Sequence, residues 1–207
     1  READRMIEEG LVSVDGKRAI QGMKVLPTQE IFVQGKKAER EKEMILLALY
    51  KPVGIICTTE KKWGKNNLDD FLHYPKRIFS IGRLDKDSEG LLLMTNNGEI
   101  LNKIMRAGNY HEKEYEVTVN KEVTENFLES MASGVPILGT VTRKCKIEKT
   151  GKNTFRIILT QGLNRQIRRM CEALGYRVTK LKRIRIMNIW LGDLKPGTYR
   201  DVTEKEK

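Results

Sequence analysis

Short runs of alternating or continuous apolar residues recur along most of the chain, a pattern typical of β-strands. The runs after residue 44 are ILLALYKP, GIICTT, IFSIGRL, GLLLMTN, EYEVTV, VTRKCKI and TFRIILT. Helices are predicted between them, near Leu68–Leu72, Gly98–Arg106, Thr124–Ala132 and Asn164–Leu174. Strand pairs joined by short turns outnumber strand–helix–strand units. We therefore expect an α+β fold with a mixed, mainly antiparallel central sheet and flanking helices.

The first forty residues are organised differently. Glu2–Glu9 is rich in helix formers, and VSVDGKRA predicts two short strands joined by a type I′ turn at its Asp-Gly pair. A further short strand, EIFVQG, follows. Lys36–Glu43 is charged and lacks apolar periodicity, which favours a linker. The sequence therefore predicts two domains, residues 1–40 and residues 41–207.

The clearest helical pattern lies in NRQIRRMCEAL. Its apolar residues share the spacing i, i+3, i+4 and i+7; they are Ile167, Met170, Cys171 and Leu174. The other face carries Arg165, Arg168, Arg169 and Glu172. One arginine can pair with Glu172, which leaves two guanidiniums suited to a phosphate or a carboxylate. We expect Asn164 to cap this helix and Gly162 to let the backbone approach a ligand.

The segment VTKLKRIRIMNIW follows this helix and alternates basic and apolar residues, as a strand with one face on the core would. Arg183 and Arg185 are expected to share one face, opposite Ile184 and Ile186. Two interpretations stay open at this point. The arginines protect an edge strand with their charge, or they contact RNA.

Composition and charge narrow the class of protein. The chain has 207 residues and a net charge of +11, and the window 161–185 alone holds eight basic residues and one acid, Glu172. A basic patch of this kind is typical of proteins that bind a polyanion such as nucleic acid. No apolar run is long enough to span a membrane, and the N-terminus does not resemble a signal peptide. We expect a soluble, cytoplasmic protein with no membrane partner.

Metal and disulfide chemistry are not expected. The three cysteines are scattered and there are two histidines, which favours neither a disulfide framework nor a zinc site. In IGRLDKDSEGLLLMTNNG, the spacing of Asp85, Asp87 and Glu89 matches the first half of a calcium-binding loop. The twelfth position is Asn96, however, where such a loop needs a bidentate Glu. Asp85 is the candidate for chemistry, and we assign Asp87 and Glu89 to the loop, solvated or paired with lysines.

Three sequence motifs follow one another along the chain: GRLDKDSEGLLLMTNNGE, KEYEVTV and TQGLNRQIRRMCEALGY. Together they resemble the RsuA/RluB/RluE/RluF family of RNA pseudouridine synthases, and the resemblance covers roughly residues 44–203. The segment QGLNRQIRRMCEALGY, followed by KRIRIMNI, looks most like the RluF branch. READRMIEEGLVSVDGKRA looks like the second half of an S4 RNA-binding domain whose first helix is missing here.

The resemblance implies that the protein isomerises a specific uridine to pseudouridine in ribosomal RNA, above all in the 23S rRNA of the large subunit. It implies base flipping and an aspartate-dependent cleavage and re-formation of the glycosidic bond, with no metal and no cofactor. We expect a monomer with ribosomal RNA as its partner. A transfer RNA is a second candidate substrate.

The resemblance also implies residue roles. Asp85 is the catalytic aspartate, Arg168 is its ion-pair partner, and Tyr115 stacks on the target base. Arg83 fills the space that the flipped nucleotide leaves. The expected RNA-binding residues are Arg83, Asn164, Arg165, Arg169, Arg183 and Arg185. Whether Asp85 attacks C6 of the base, attacks C1′ or first removes a ribose proton stays open.

Two other functions use the same residues. A non-catalytic rRNA-binding or ribosome-assembly protein would keep all its functions after Asp85→Asn. A nuclease that binds a divalent metal through Asp85, Asp87 and Glu89 would lose activity in a chelator.

Overall fold

The computed structural model describes residues 2–38, 43–58, 66–105 and 110–206. The chain divides into two compact units, Arg1–Glu43 and Met44–Lys207. Their boundary lies a few residues after the predicted one. The assignment of the first unit as S4-like stays a prediction.

The first unit is a helix followed by a small antiparallel sheet. Its elements are α1 (Glu2–Glu8), β1 (Val12–Val14), β2 (Lys17–Arg18), β3 (Ile31–Val33) and β4 (Lys36–Lys37). The sheet order is β2-β1-β3-β4, and the predicted β1–β2 hairpin is confirmed. The predicted linker is wrong at its start, because Gln34 and Gly35 both have positive φ and turn the chain back into β4. Residues 39–42 of that linker lie outside the described residues.

The second unit is larger and contains the following elements. The helices are α2 (Leu68–Leu72), α3 (Gly98–Met105), α4 (Glu125–Ser133) and α5 (Gln166–Ala173). The strands are β5 (Leu46–Lys51), β6 (Phe79–Ile81), β7 (Glu89–Thr95), β8 (Lys113–Val119), β9 (Pro136–Ile137), β10 (Thr140–Val141), β11 (Lys146–Gly151), β12 (Thr154–Leu159), β13 (Val178–Ile186), β14 (Ile189–Trp190) and β15 (Tyr199–Asp201).

Within the described ranges, one nine-stranded sheet organises this unit. Its order is β11-β12-β8-β13-β7-β5-β15, with β14 paired to β13 and β6 paired to β7. The β13–β7 pair is parallel and the other pairs are antiparallel. The expected fold class is therefore confirmed. β9 and β10 form a separate hairpin.

Strands β5 and β7 are buried on both faces, which explains their unbroken apolar runs LLALY and LLLM. Leu46 and Ala48 of β5 pack with α3 on one face, whereas Leu47 and Leu49 pack with α2 on the other. A third apolar cluster joins β8 and β12 to α4 and α5. These clusters hold the middle of the sheet rigidly in place.

Several predicted strands differ in the structure. The described residues of GIICTT, 54–58, form a bridge between Ile56 and Asn67 in place of a strand. β6 ends at Ile81, because Gly82 turns the chain with φ +78°. β13 is a central strand and not an edge strand. Among the described residues, every helix falls short of the length and apolar character needed to cross a membrane.

Candidate active site

Asp85 lies in the loop between β6 and β7. The Ser88 N–H donates to the Asp85 carbonyl oxygen at 3.1 Å and closes a turn. Leu84 is buried in the cluster that contains α2, so the loop is anchored immediately before Asp85. The Asp85 side chain is 32% exposed. It is therefore held in place but accessible to a ligand.

A pocket of about 400 Å³ opens beside this loop, within the size range of small-ligand sites. Asp85 lines it together with Tyr115 of β8, Arg183 of β13 and the exposed Arg83. Tyr115 and Arg183 are directly opposite each other in the β8–β13 pair. Arg165 lines the pocket as well, so the structure brings five of the predicted site residues to one cavity. Their roles stay predictions.

Gly90 fixes the position of Arg183. The two residues are partners in the parallel β7–β13 pair, and a Cβ on Gly90 would lie 2.2 Å from the Arg183 carbonyl oxygen. Gly90 also has φ +108°, which residues with side chains rarely adopt. Only glycine lets β13 come this close to β7, and Arg183 reaches the pocket as a result.

Arg183 is almost fully buried, with 3% of its surface exposed. Its Nε donates to the Leu91 carbonyl oxygen at 2.7 Å, and Nη1 donates to the Arg83 carbonyl oxygen at 3.5 Å. Nη2 is buried and has no acceptor among the described residues. A buried donor without an acceptor is costly, so this nitrogen indicates a place for a ligand acceptor.

Arg185 does not share a face with Arg183, and that expectation is wrong. A β-bulge after Arg183 shifts the register, so Arg185 lies opposite Glu114 and not on the pocket side. Its Nε donates to Glu114 at 2.7 Å, and Nη2 donates to Glu112 at 3.0 Å. Because two carboxylates neutralise this guanidinium, we no longer include Arg185 among the RNA contacts.

The expected ion pair between Arg168 and Asp85 is also wrong for the described residues. Arg165 is the arginine paired with Asp85, with Nη1 3.7 Å from Oδ2. Arg168 lies almost one turn further along α5 and reaches the end of the loop instead. Its Nη2 donates to the Asp87 carbonyl oxygen at 2.8 Å and to Ser88 Oγ at 3.2 Å.

Asp87 has a larger role than the sequence suggested. It accepts two hydrogen bonds from Arg165, at 3.1 and 2.9 Å, and pairs with no lysine in the described ion pairs. The hydrogen bond from Arg165 is the main cause that lowers the pKa of Asp87, and it raises the pKa of Arg165. Glu89 accepts from the Tyr50 hydroxyl at 2.9 Å. Asp85 and Asp87 thus share the Arg165 guanidinium, whereas Glu89 bonds to Tyr50. The described residues contain no cluster of three or more candidate metal ligands.

Helix α5 begins without the predicted cap. Arg165 and not Asn164 is the N-cap residue, with φ +50° and no side-chain capping bond. The Gln166 side chain instead connects the first turn of the helix to the preceding loop, since its Oε1 accepts a hydrogen bond from the Leu163 N–H at 3.0 Å. Asn164 is exposed and accepts two bonds from Arg169, at 3.1 and 3.3 Å. Arg165 thus combines a left-handed backbone with a side chain that bonds to Asp87.

Three basic residues at or near the pocket were missed. Lys51 is fully buried at the end of β5 and donates to the Pro52 and Ser88 carbonyl oxygens, both at 2.8 Å. Its desolvation lowers its pKa. Lys113 and Arg143 line the pocket. Burial and then the charge of Arg183 lower the pKa of Lys113. The sequence feature that could have predicted a buried Lys51 is its position at the end of the apolar strand LLALYK.

Similarity to known proteins shows the family of the chain. The profile of the RNA pseudouridylate synthase family matches residues 45–173. The "Dual-specificity RNA pseudouridine synthase RluF" of Escherichia coli K12 is 56% identical over the whole chain, which spans 71% of that protein. The corresponding protein of Salmonella typhi is 55% identical, with 72% of its length spanned.

More distant relatives extend the match. The "Ribosomal large subunit pseudouridine synthase B" of Bacillus subtilis is 37% identical over the whole chain, which spans 87% of that protein. A solved structure titled "Crystal structure of pseudouridylate synthase" aligns with a TM-score of 0.73 and 28% identity. This alignment covers 99% of this chain and 90% of the other. The chain therefore belongs to the RNA pseudouridylate synthase family, in the group that includes RluF and the ribosomal large subunit pseudouridine synthase B.

Proposed function

We propose that the protein isomerises a uridine to pseudouridine in RNA, and that large-subunit ribosomal RNA is its main substrate. The names of its relatives support the RNA class, and "dual-specificity" supports a second substrate, for which we propose a transfer RNA. The observation that carries the proposal is a partly exposed carboxylate, Asp85, in a pocket whose other charged residues are basic. This charge pattern fits an anionic polymer and a reaction that needs one acidic group.

The isomerisation breaks the C1′–N1 bond and forms a C1′–C5 bond. The hydrogen on C5 leaves for solvent and N1 gains a proton, so the product has the same atoms as the substrate. Asp85 acts as the nucleophile at C6 or C1′, or as the base that removes a ribose proton. Tyr115 stacks on the flipped base, and such stacking offsets much of the cost of taking a base out of the RNA. Arg165 keeps the Asp85 carboxylate in position.

We assign Arg183 to the uracil ring itself. Its Nη2 has no acceptor among the described residues, and uracil offers two carbonyl oxygens. When the C1′–N1 bond breaks and leaves its electrons on the base, negative charge spreads onto these oxygens. A buried guanidinium fixed by Leu91 stabilises that charge without having to reorganise. Lys113 lines the same pocket.

The test is tritium release from a 23S rRNA transcript labelled at uridine C5, measured in EDTA. We expect release by the wild type and none by Asp85→Asn. Asp193→Asn is the matched control, because Asp193 is an exposed aspartate that does not line the pocket. Equal release by wild type and Asp85→Asn would remove Asp85 from the mechanism. RNA binding without any release would favour the non-catalytic alternative.

We also propose that the first unit is an S4-like RNA-binding module. Lys17 of β2 and Lys36 of β4 are both exposed and can contact phosphates. A double variant, Lys17→Gln/Lys36→Gln, should weaken RNA binding and reduce its log–log salt slope by about 0.7 for each lost contact on single-stranded RNA. An unchanged slope would contradict a role for this sheet in binding.

A further inference from the structure

A tyrosine–arginine pair lies beside the pocket and takes no part in the proposed chemistry. Arg143 lines the pocket, and its guanidinium carbon lies 4.4 Å from the centre of the Tyr110 ring. This distance is well within the range of a cation–π contact. Tyr110 directly precedes His111, which also lines the pocket. The pair is therefore close to the place where the target uridine would enter.

Arg143 differs from the other arginines near the pocket in how its charge is paired. Its backbone N–H is held by Gln161 Oε1 at 3.0 Å, and its Nη1 donates to the Thr160 carbonyl oxygen at 3.4 Å. No carboxylate pairs with it in the part of the chain that the structure describes. Arg165 and Arg185, by contrast, each have an acidic partner. Arg143 is consequently better suited than either of them to bind a phosphate.

Tyr110 is exposed and held in a strained conformation. Its φ is +49°, which is uncommon for a bulky residue, and 59% of its surface is accessible. Burial of the ring does not compensate for this backbone strain. The guanidinium of Arg143 orients the ring, and much of the ring surface remains open to stacking.

We propose that Tyr110 and Arg143 form a second nucleotide subsite, which binds the nucleotide next to the target uridine. The base of that nucleotide stacks on the open surface of the Tyr110 ring. Arg143 contacts the phosphate that joins it to the uridine. Flipping a uridine out of its stack leaves its neighbour without a stacking partner, and an aromatic ring beside the pocket replaces that partner. This subsite rests on the proposed function.

The experiment measures equilibrium binding of a 23S rRNA transcript in the Asp85→Asn background, so that the RNA is not converted. Stacking of one base predicts a loss of affinity of about 5- to 150-fold for Tyr110→Ala, whereas Tyr110→Phe should stay within threefold of the parent. Arg143→Ala should reduce the salt slope by about 0.7. Trp190→Ala is the matched control, because Trp190 is a similarly exposed ring, 5.3 Å from the guanidinium of Arg185, whose charge is neutralised.

The subsite would be overturned if Tyr110→Ala binds as tightly as its parent, or if Trp190→Ala loses as much affinity as Tyr110→Ala. An unchanged salt slope for Arg143→Ala would remove the phosphate contact. Thermal unfolding of each variant, compared with the parent, separates lost contacts from lost stability. Because these measurements need only binding, they remain decisive even if tritium release fails and the proposed isomerase activity is wrong.

Discussion

Replacing Gly90 by alanine tests how closely the fold and the site depend on one another. The new Cβ would lie 2.2 Å from the carbonyl oxygen and 2.7 Å from the nitrogen of Arg183. These are backbone atoms of a central strand, so neither can move aside cheaply. The positive φ of Gly90 adds strain of about 1–2 kcal/mol. Overpacking adds about 1–3 kcal/mol. We expect a total loss of about 3 kcal/mol.

Thermal unfolding followed by circular dichroism measures this loss. For a domain of this size, about 3 kcal/mol corresponds to a decrease in Tm of roughly 6–12 °C. The turnover of Gly90→Ala, measured where the variant is folded, should also fall, because β13 must shift and carries Arg183 with it.

Gly98→Ala is the matched control. Gly98 begins α3 and has nothing within 4 Å of the added Cβ, so this variant should be neutral or slightly stabilised. A Gly90→Ala protein that unfolds within 2 °C of the wild type would refute the reasoning.

Three further predictions concern single side chains. Arg183→Lys keeps the positive charge but loses the planar guanidinium with its several fixed N–H donors. We expect kcat to fall at least tenfold, while RNA affinity stays within threefold of the wild type. Equal losses in kcat and affinity would contradict an action of Arg183 on the uracil anion. Arg165→Ala should lower tritium release about tenfold without changing the salt slope of RNA binding, because Asp87 already neutralises Arg165; a slope reduced by about 0.7 would indicate a phosphate contact instead. Hydrogen bonding to Arg200 lowers the pKa of Glu206 from 4.5 to about 2, so its stabilisation is present above pH 4.5 and is lost as the pH falls towards 2. Urea unfolding of Glu206→Gln should show a loss of about 1–2 kcal/mol at pH 7, allowing for partial exposure, and the difference between the two proteins should shrink steadily as the pH falls from 4.5 towards 2; a constant difference would contradict this ion pair.

Local sequence pattern was sufficient for most of the fold. The apolar runs of β5, β7 and β12 and the stripe of α5 predicted elements within one or two residues of their bounds. The predictions failed where contacts between residues distant in sequence determine the local structure. GIICTT has the composition of a strand, yet its described residues form a single β-bridge, between Ile56 and Asn67, and no strand pair. The central position of β13 could not be read from its alternating charges, because Arg183 is buried in the sheet and Arg185 is paired with Glu112 and Glu114 of the region around β8.

The sequence predicted which residues line the pocket better than it predicted which of them pair with one another. Asp85 and Tyr115 were named from sequence, and both line the pocket. Which arginine meets Asp85 depends on the left-handed backbone of Arg165, and residue spacing does not reveal that conformation. The bulge that turns Arg185 away from the pocket is likewise set by pairing with β8.

The place of β13 in the sheet has a consequence for the growing chain. β13 lies between β8 and β7, which are made well before it, and it joins the strands on either side into one sheet. Until residues 178–186 have left the ribosome, those two groups of strands have unpaired edges and the pocket lacks Arg183. A nascent chain that lacks β13 therefore has an incomplete pocket. The proposed isomerase activity can arise only after β13 has been made.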